Sequence, residues 1–274
     1  MSVLVSLTPS ESKRLIAKGV AAHPLAKKAM VDGRIMISSG TTTGYVLEEL
    51  TGEKIDIVKF PCGVSTQGLI CQTPDDRIRT AMIEKGSLQE HDMELSEYEE
   101  ISKYASMLGS GDVYIKGANA VDAEGKAGFL LAHPTGGNVT TVLPKVYAQG
   151  VKFIIPVGLE KLIPSVDEAQ KNMLGINEYT YTFGRGCGFV TVNNGVIVNE
   201  ITAIEILTGG RAVHVASGGI GGSEGAVTLV VHFDNDEQEQ QCIQLLNSVK
   251  NEPALGIWKK KCGDCPFKCK YRFK

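Results

Sequence analysis

Three cysteines within eight residues, Cys262, Cys265 and Cys269, carry the sharpest chemical signal in this 274-residue chain. Their C-x2-C-x3-C spacing lets three soft thiolates converge on one ion or cluster, the preference of zinc and of iron–sulfur centres. A structural zinc site or a 4Fe–4S cluster takes four protein ligands as a rule, so a fourth is expected elsewhere. Cys187, inside Gly184-Arg185-Gly186-Cys187-Gly188, is the expected one. With three ligands alone, an iron–sulfur cluster would keep one iron open to a substrate. The competing reading is a set of thiols in a solvated tail. Residues 259–274 hold seven Lys/Arg and one acid, Asp264, a net of +6, and the rest of the chain carries −9 of the overall −3. An acidic body with a short basic end does not read as a nucleic-acid binder, which would show a broader basic face.

A second constellation suits a small anion. Ser38-Ser39-Gly40-Thr41-Thr42-Thr43-Gly44 lies between an apolar strand, Arg34 to Ile37, and a helix expected from about Tyr45 to Leu50. Glycine lets backbone approach an anion, hydroxyls donate to it, and the helix start offers amides at the positive end of its dipole. The plainer reading is a tight turn with a threonine cap. No Gly-Lys-Ser/Thr follows, so this is not a Walker loop.

Further candidates follow other expected strands. Gly117 and Asn119 come after Asp112 to Lys116, and Gly136, Gly137 and Asn138 precede a helix around Thr140 to Gln149. Lys161 follows the buried strand Val151 to Val157, at the end where open parallel sheets bind ligands. It can pair with a phosphate or carboxylate, or stand as a surface lysine. Glu160 is a candidate general base and His133, in the loop before Pro134, a candidate catalytic or ligand-binding residue. The glycine loop Ser217 to Gly225 either cradles a phosphate or forms a hairpin tip, and does not fit a dinucleotide fingerprint.

The elements that must position these residues alternate strand and helix up to about residue 176, which indicates α/β architecture with a doubly wound, mostly parallel sheet. Thr8-Pro9-Ser10-Glu11 marks a helix start, and Pro24 restarts the chain after it. Ile55 to Phe60 is expected to be a strand. Beyond residue 176, Phe189 to Val192 and Val196 to Asn199 read as a hairpin about Asn194-Gly195. The expected organisation is an α/β domain over 1–176, a smaller α+β domain over 177–256 and a Cys-rich basic tail over 257–274.

The run Gly33 through Leu50 resembles the phosphate-binding turn of the ribose-5-phosphate isomerase, glucosamine-6-phosphate deaminase and CoA-transferase superfamily. It also resembles the sensor domains of sugar-phosphate-responsive repressors, although no helix-turn-helix segment precedes it. Gly117-Ala118-Asn119-Ala120, the Asp122 to Gly125 turn, and Gly158, Lys161, Ile163, Pro164 and Ala169 resemble the lactate-utilisation domain family of that superfamily. The resemblance spans residues 10–175 and implies the superfamily fold and a role near organic-acid or sugar-phosphate chemistry.

The expected function is therefore binding of an anionic small molecule, sugar phosphate or organic acid, by an enzyme of unassigned reaction with zinc or an iron–sulfur centre. The alternative is a ligand-sensing or redox-complex accessory subunit that docks a redox partner. An apolar fraction of 43% and a charged fraction of 22% suit a soluble protein. No apolar run reaches the roughly 20 residues of a membrane span. Met1 to Lys13 does not read as a secretory signal, so a cytoplasmic protein is expected, and the superfamily resemblance implies a homo-oligomer.

Overall fold

The computed structural model describes residues 1–256, 259–265, 267 and 269. Its elements run β1 (Ser2–Leu7), α1 (Pro9–Ala22), α2 (Pro24–Asp32), β2 (Arg34–Ile37), α3 (Thr41–Thr51), β3 (Gly63–Thr66), β4 (Leu69–Gln72), β5 (Ala81–Glu84) and β6 (Ser87–Leu88). Then come α4 (Glu97–Met107), β7 (Val113–Ile115), β8 (Ala120–Val121), β9 (Ala127–Leu131), α5 (Gly137–Gln149), β10 (Lys152–Pro156) and α6 (Val166–Asn172). The chain continues through β11 (Gly188–Val192), β12 (Val196–Val198), α7 (Glu200–Thr208), β13 (Arg211–Ser217), β14 (Val227–His232) and α8 (Asp236–Val249).

The main sheet has the order β12-β10-β7-β2-β5-β6. Its first four strands are mutually parallel, and β5 and β6 extend it antiparallel. Successive side chains on a strand point to opposite faces, so each short apolar strand feeds two cores. Ile35, Ile37, Val113, Ile115 and Ile154 pack with α1, α3 and α7 on one face. Met36, Tyr114, Phe153 and Ile155 pack with α4 and α5 on the other. Tyr114 and Phe153 meet there at 4.8 Å between ring centroids.

Local chemistry sets the helix ends. Thr8 accepts from the Glu11 amide while Glu11 accepts from the Thr8 amide, a reciprocal capping box that starts α1 with Pro9 at its first position. Ser96 with Glu99 and Asn199 with Thr202 do the same for α4 and α7. Helix α1 then crosses α7 closely because Gly19 has no side chain: a Cβ there would stand 2.7 Å from the Ala203 Cβ. Gly19→Ala is expected to destabilise the protein by about 1–3 kcal/mol, as overpacking does, and a denaturant melt checks it.

Three sequence expectations change. Ile55 to Phe60 is not a strand; Ile57–Lys59 forms a 3-10 turn whose Ile57 packs under α3. Phe189 to Asn199 is not a hairpin either. β11 pairs with β9, and β12 pairs in parallel with β10, because the Val-Ile-Val of β12 is apolar on both faces and suits the sheet interior. Gly195 passes so close to the sheet that a Cβ would lie 2.3 Å from Ile155. Third, the boundary expected near residue 176 does not separate sheets. β12 belongs to the main sheet, and β1 joins β14 and β13 in a second sheet of three strands. Among the described residues no helix is long and apolar enough to cross a membrane.

Candidate functional site: a cleft at the parallel strand ends

A cleft of about 1190 Å³ opens at the C-terminal ends of β2, β7 and β10, the edge where open parallel sheets place their ligands. All the ligand-binding candidates with cleft-facing atoms come from different connections. Ser39, Gly40, Thr41, Thr42 and Thr43 follow β2, Gly117 and Asn119 follow β7, Gly136, Gly137 and Asn138 open α5, and Lys161 follows β10. Glu160 and His133 line the same cleft.

Helix α3 begins earlier than the sequence suggested, at Thr41, so the threonines lie in its first turn. Gly40 caps it without any side-chain acceptor, as Gly136 does for α5. Both helix starts leave their first amides without a side-chain cap, the arrangement that favours anions. Thr43 instead supports the turn, its hydroxyl donating to the Ser38 carbonyl at 2.7 Å. Ser38 is fully buried, shares a hydrogen bond of 2.9 Å with the Tyr114 hydroxyl, and is a support rather than a cleft-lining group. Asn138 bridges the walls by donating to Thr80 at 2.8 Å and to Ser38 at 3.4 Å. The Ser39 hydroxyl is buried with no hydrogen-bond partner among the described residues.

One of the cations lining the cleft is a residue that the sequence did not single out. Lys116 is half-buried at the end of β7, and its ammonium has no hydrogen-bond or ion-pair partner among the described residues. Burial pushes its pKa down; Cys62 acts against that, and the Lys161 charge adds to it. Burial likewise lowers Lys161, whose ammonium donates to the Ala118 carbonyl at 3.1 Å. Glu200 at the start of α7 positions this lysine. Its carboxylate accepts from the Leu159 amide at 2.9 Å and so holds the turn 159–161. Burial pushes the Glu200 carboxyl up, although that amide pulls it down. Arg77 and Arg185 also line the cleft. Arg77 is clamped in two hydrogen bonds by Glu97, and Arg185 donates to the Ala132 carbonyl.

The two catalytic candidates are placed differently. The Glu160 carboxylate accepts from Lys13 at 2.9 Å. His133 is exposed at the rim, shares a hydrogen bond with the Thr135 hydroxyl at 2.8 Å and stacks on Tyr98. Asn119 spends its side-chain oxygen on the Leu130 amide, tying β8 to β9. The loop Ser217 to Gly225 joins β13 to β14, and its Gly221 and Gly222 amides donate to the Glu224 carboxylate at the mouth of the cleft. Lys116 carries a signal like the one that pointed to Lys161, a lysine past the end of a buried strand. Cys62 and Arg77 lie in loops where nothing local distinguishes them.

No protein-family model matches this chain, and no curated protein matches it.

Proposed function

We propose that this protein binds an anionic small molecule, a sugar phosphate or an organic acid, in the cleft at the ends of β2, β7 and β10. The observation that carries the reading is Lys116. A half-buried ammonium with no protein partner costs free energy, and an anion seated between it, Lys161 and the amides that open α3 and α5 would offset that cost. Perturbed ionisable groups in a cleft mark functional sites. The doubly wound isomerase and transferase-like fold suggested by the turn Ser38 to Gly44 agrees with a ligand at this edge, and four parallel strands support it. An enzymatic role rests on Glu160 and His133 at the cleft wall. Glu160 is held by an ion pair and His133 faces solvent, which favours the alternative of a binding or sensing subunit.

Binding an anion favours the charged form of both lysines, so complex formation takes up protons wherever they are partly neutral. Affinity is therefore expected to fall as pH rises, beginning below the range in which an ordinary lysine titrates. Titration calorimetry with inorganic phosphate and a pentose phosphate, in two buffers of different ionisation enthalpy, checks this. A pH-independent affinity with no proton uptake would contradict it. His133→Ala and Glu160→Gln separate the roles: unchanged ligand binding with lost turnover of a bound substrate marks an enzyme.

A further inference from the structure

The three tail cysteines share a cavity with a fourth. Cys262, Cys265 and Cys269 line a small cavity of about 30 Å³ together with Cys71, from strand β4, which lies nearly 200 residues earlier in the chain. Cys187, the expected partner, is not among its lining residues. It is buried against the larger cleft, with its thiol donating to the Arg185 carbonyl at 3.7 Å.

Several contacts hold the tail there. The Lys260 amide donates to the Gln72 carbonyl at 2.8 Å, and its ammonium pairs with Asp75. Phe267 lies under the Arg185 guanidinium, 3.5 Å from the ring centroid. A turn closed by the Asp264 amide on the Lys261 carbonyl holds Cys262, and Cys265 follows it directly. On the other wall, Gly184 lets its segment approach β4, for a Cβ there would lie 2.2 Å from the Ile70 carbonyl oxygen. Burial pushes the Cys71 thiol up and Lys259 pulls it down, while Cys269, Cys262 and Cys265 each push it up again. No three His, Cys, Asp or Glu side chains stand in mutual ligating geometry among the described residues. The four cysteines therefore line one cavity without standing in ligating geometry.

We propose that Cys71, Cys262, Cys265 and Cys269 form a four-thiolate site for a thiophilic metal centre, zinc or an iron–sulfur cluster, that clasps the tail onto the β3–β4 hairpin. The chemistry fits on three counts. Four sulfur donors complete the ligand number that three tail cysteines lack. The C-x2-C pair across a turn is the spacing of structural thiolate sites. Lys259, whose ammonium lies 3.6 Å from the Cys262 sulfur, and Lys260 and Arg185 in the cavity wall offset the negative charge of bound thiolates. Each thiol gives up its proton on binding, so the site loads better at higher pH. The assignment is independent of the anion proposed for the cleft.

The test needs no variant at first. The full chain, purified anaerobically, is loaded either with Zn²⁺ or with iron and sulfide, then pulsed with a thiol alkylator and mapped by mass spectrometry. Protection confined to Cys71, Cys262, Cys265 and Cys269, at one zinc or one cluster per chain, is the expected result. A colourless protein with one zinc identifies a structural clasp, and visible absorbance with matching iron and sulfide identifies a cluster; both support the site. Cys71→Ala is then expected to lower metal affinity about 100-fold, at the upper end of what loss of a supporting group costs, while Cys187→Ala leaves it unchanged. Circular dichroism confirms that both variants fold. Protection of Cys187 in place of Cys71, or no metal retained under either loading, would overturn the proposal.

Discussion

Lys116→Met is expected to lower phosphate or carboxylate affinity at least tenfold while leaving the fold as stable as before, or more so. The two effects have one cause. The Lys116 ammonium is half-buried without a partner among the described residues, so removing its charge relieves a desolvation cost and keeps the stem's apolar contacts. In the complex that charge is the main attraction for the anion, worth 1.4 kcal/mol for each tenfold of affinity. The pH dependence separates this from an ordinary stabilising substitution. Because the folded-state pKa of Lys116 is depressed, the unfolded chain binds more protons between that pKa and the usual lysine value. Wild-type stability thus rises with pH across this window, and the penalty is fully present below it. In Lys116→Met that rise shrinks. Thermal melts of both proteins across this range, together with phosphate titrations, give both readouts. A variant that loses stability but keeps its affinity would make Lys116 a structural residue.

The second large effect is expected at Arg14. Its guanidinium donates to Glu48 at 2.6 Å, Glu49 at 3.0 Å and Glu252 at 2.9 Å, and it stacks 4.5 Å from the Tyr45 ring. Its side chain is only 9% exposed. Burial lowers the Arg14 pKa, but hydrogen bonds and charges from Glu252 and Glu48 outweigh that and raise it. These contacts join α1, α3 and the segment after α8, three pieces far apart in sequence. Arg14→Met leaves the carboxylates around it without their shared cation, so a loss of about 3–5 kcal/mol is expected, the cost of breaking a buried pair from one side. Replacing Arg14, Glu48 and Glu252 together by apolar residues of similar volume should recover most of it, because the attraction then no longer has to offset desolvation. Urea melts of the single and triple variants measure this. Equal destabilisation in both would show that packing, not charge, holds the junction.

Much of the cleft was legible in the sequence because its parts carry local signals. A run of Ser, Thr and Gly after an apolar strand, a glycine pair before a helix and a lysine after a buried strand are each recognisable from neighbours in the chain. What escaped was set by distance. Lys116 looks like any strand-end lysine until burial removes its water. Cys71 has no spacing relation to Cys262, Cys265 and Cys269, whereas Cys187 sat in a suggestive glycine-rich stretch that the fold turns toward the cleft instead. The Asn194-Gly195 pair invited a hairpin, but the partners of β11 and β12 are chosen by apolar surface already present on β9 and β10. The Arg14 cluster depends on acids 34 and 238 residues away, which no local pattern could group.

Calorimetric titration of the wild-type full chain beside Lys116→Met decides whether the cleft captures an anion. Inorganic phosphate, a pentose phosphate and lactate serve as probes, at a pH below and a pH within the expected titration of the two lysines. Saturable binding of at least one probe, with proton uptake at the higher pH and loss of binding in Lys116→Met, is the result this account requires. Absence of binding for all three, or equal affinity in the variant, would contradict it.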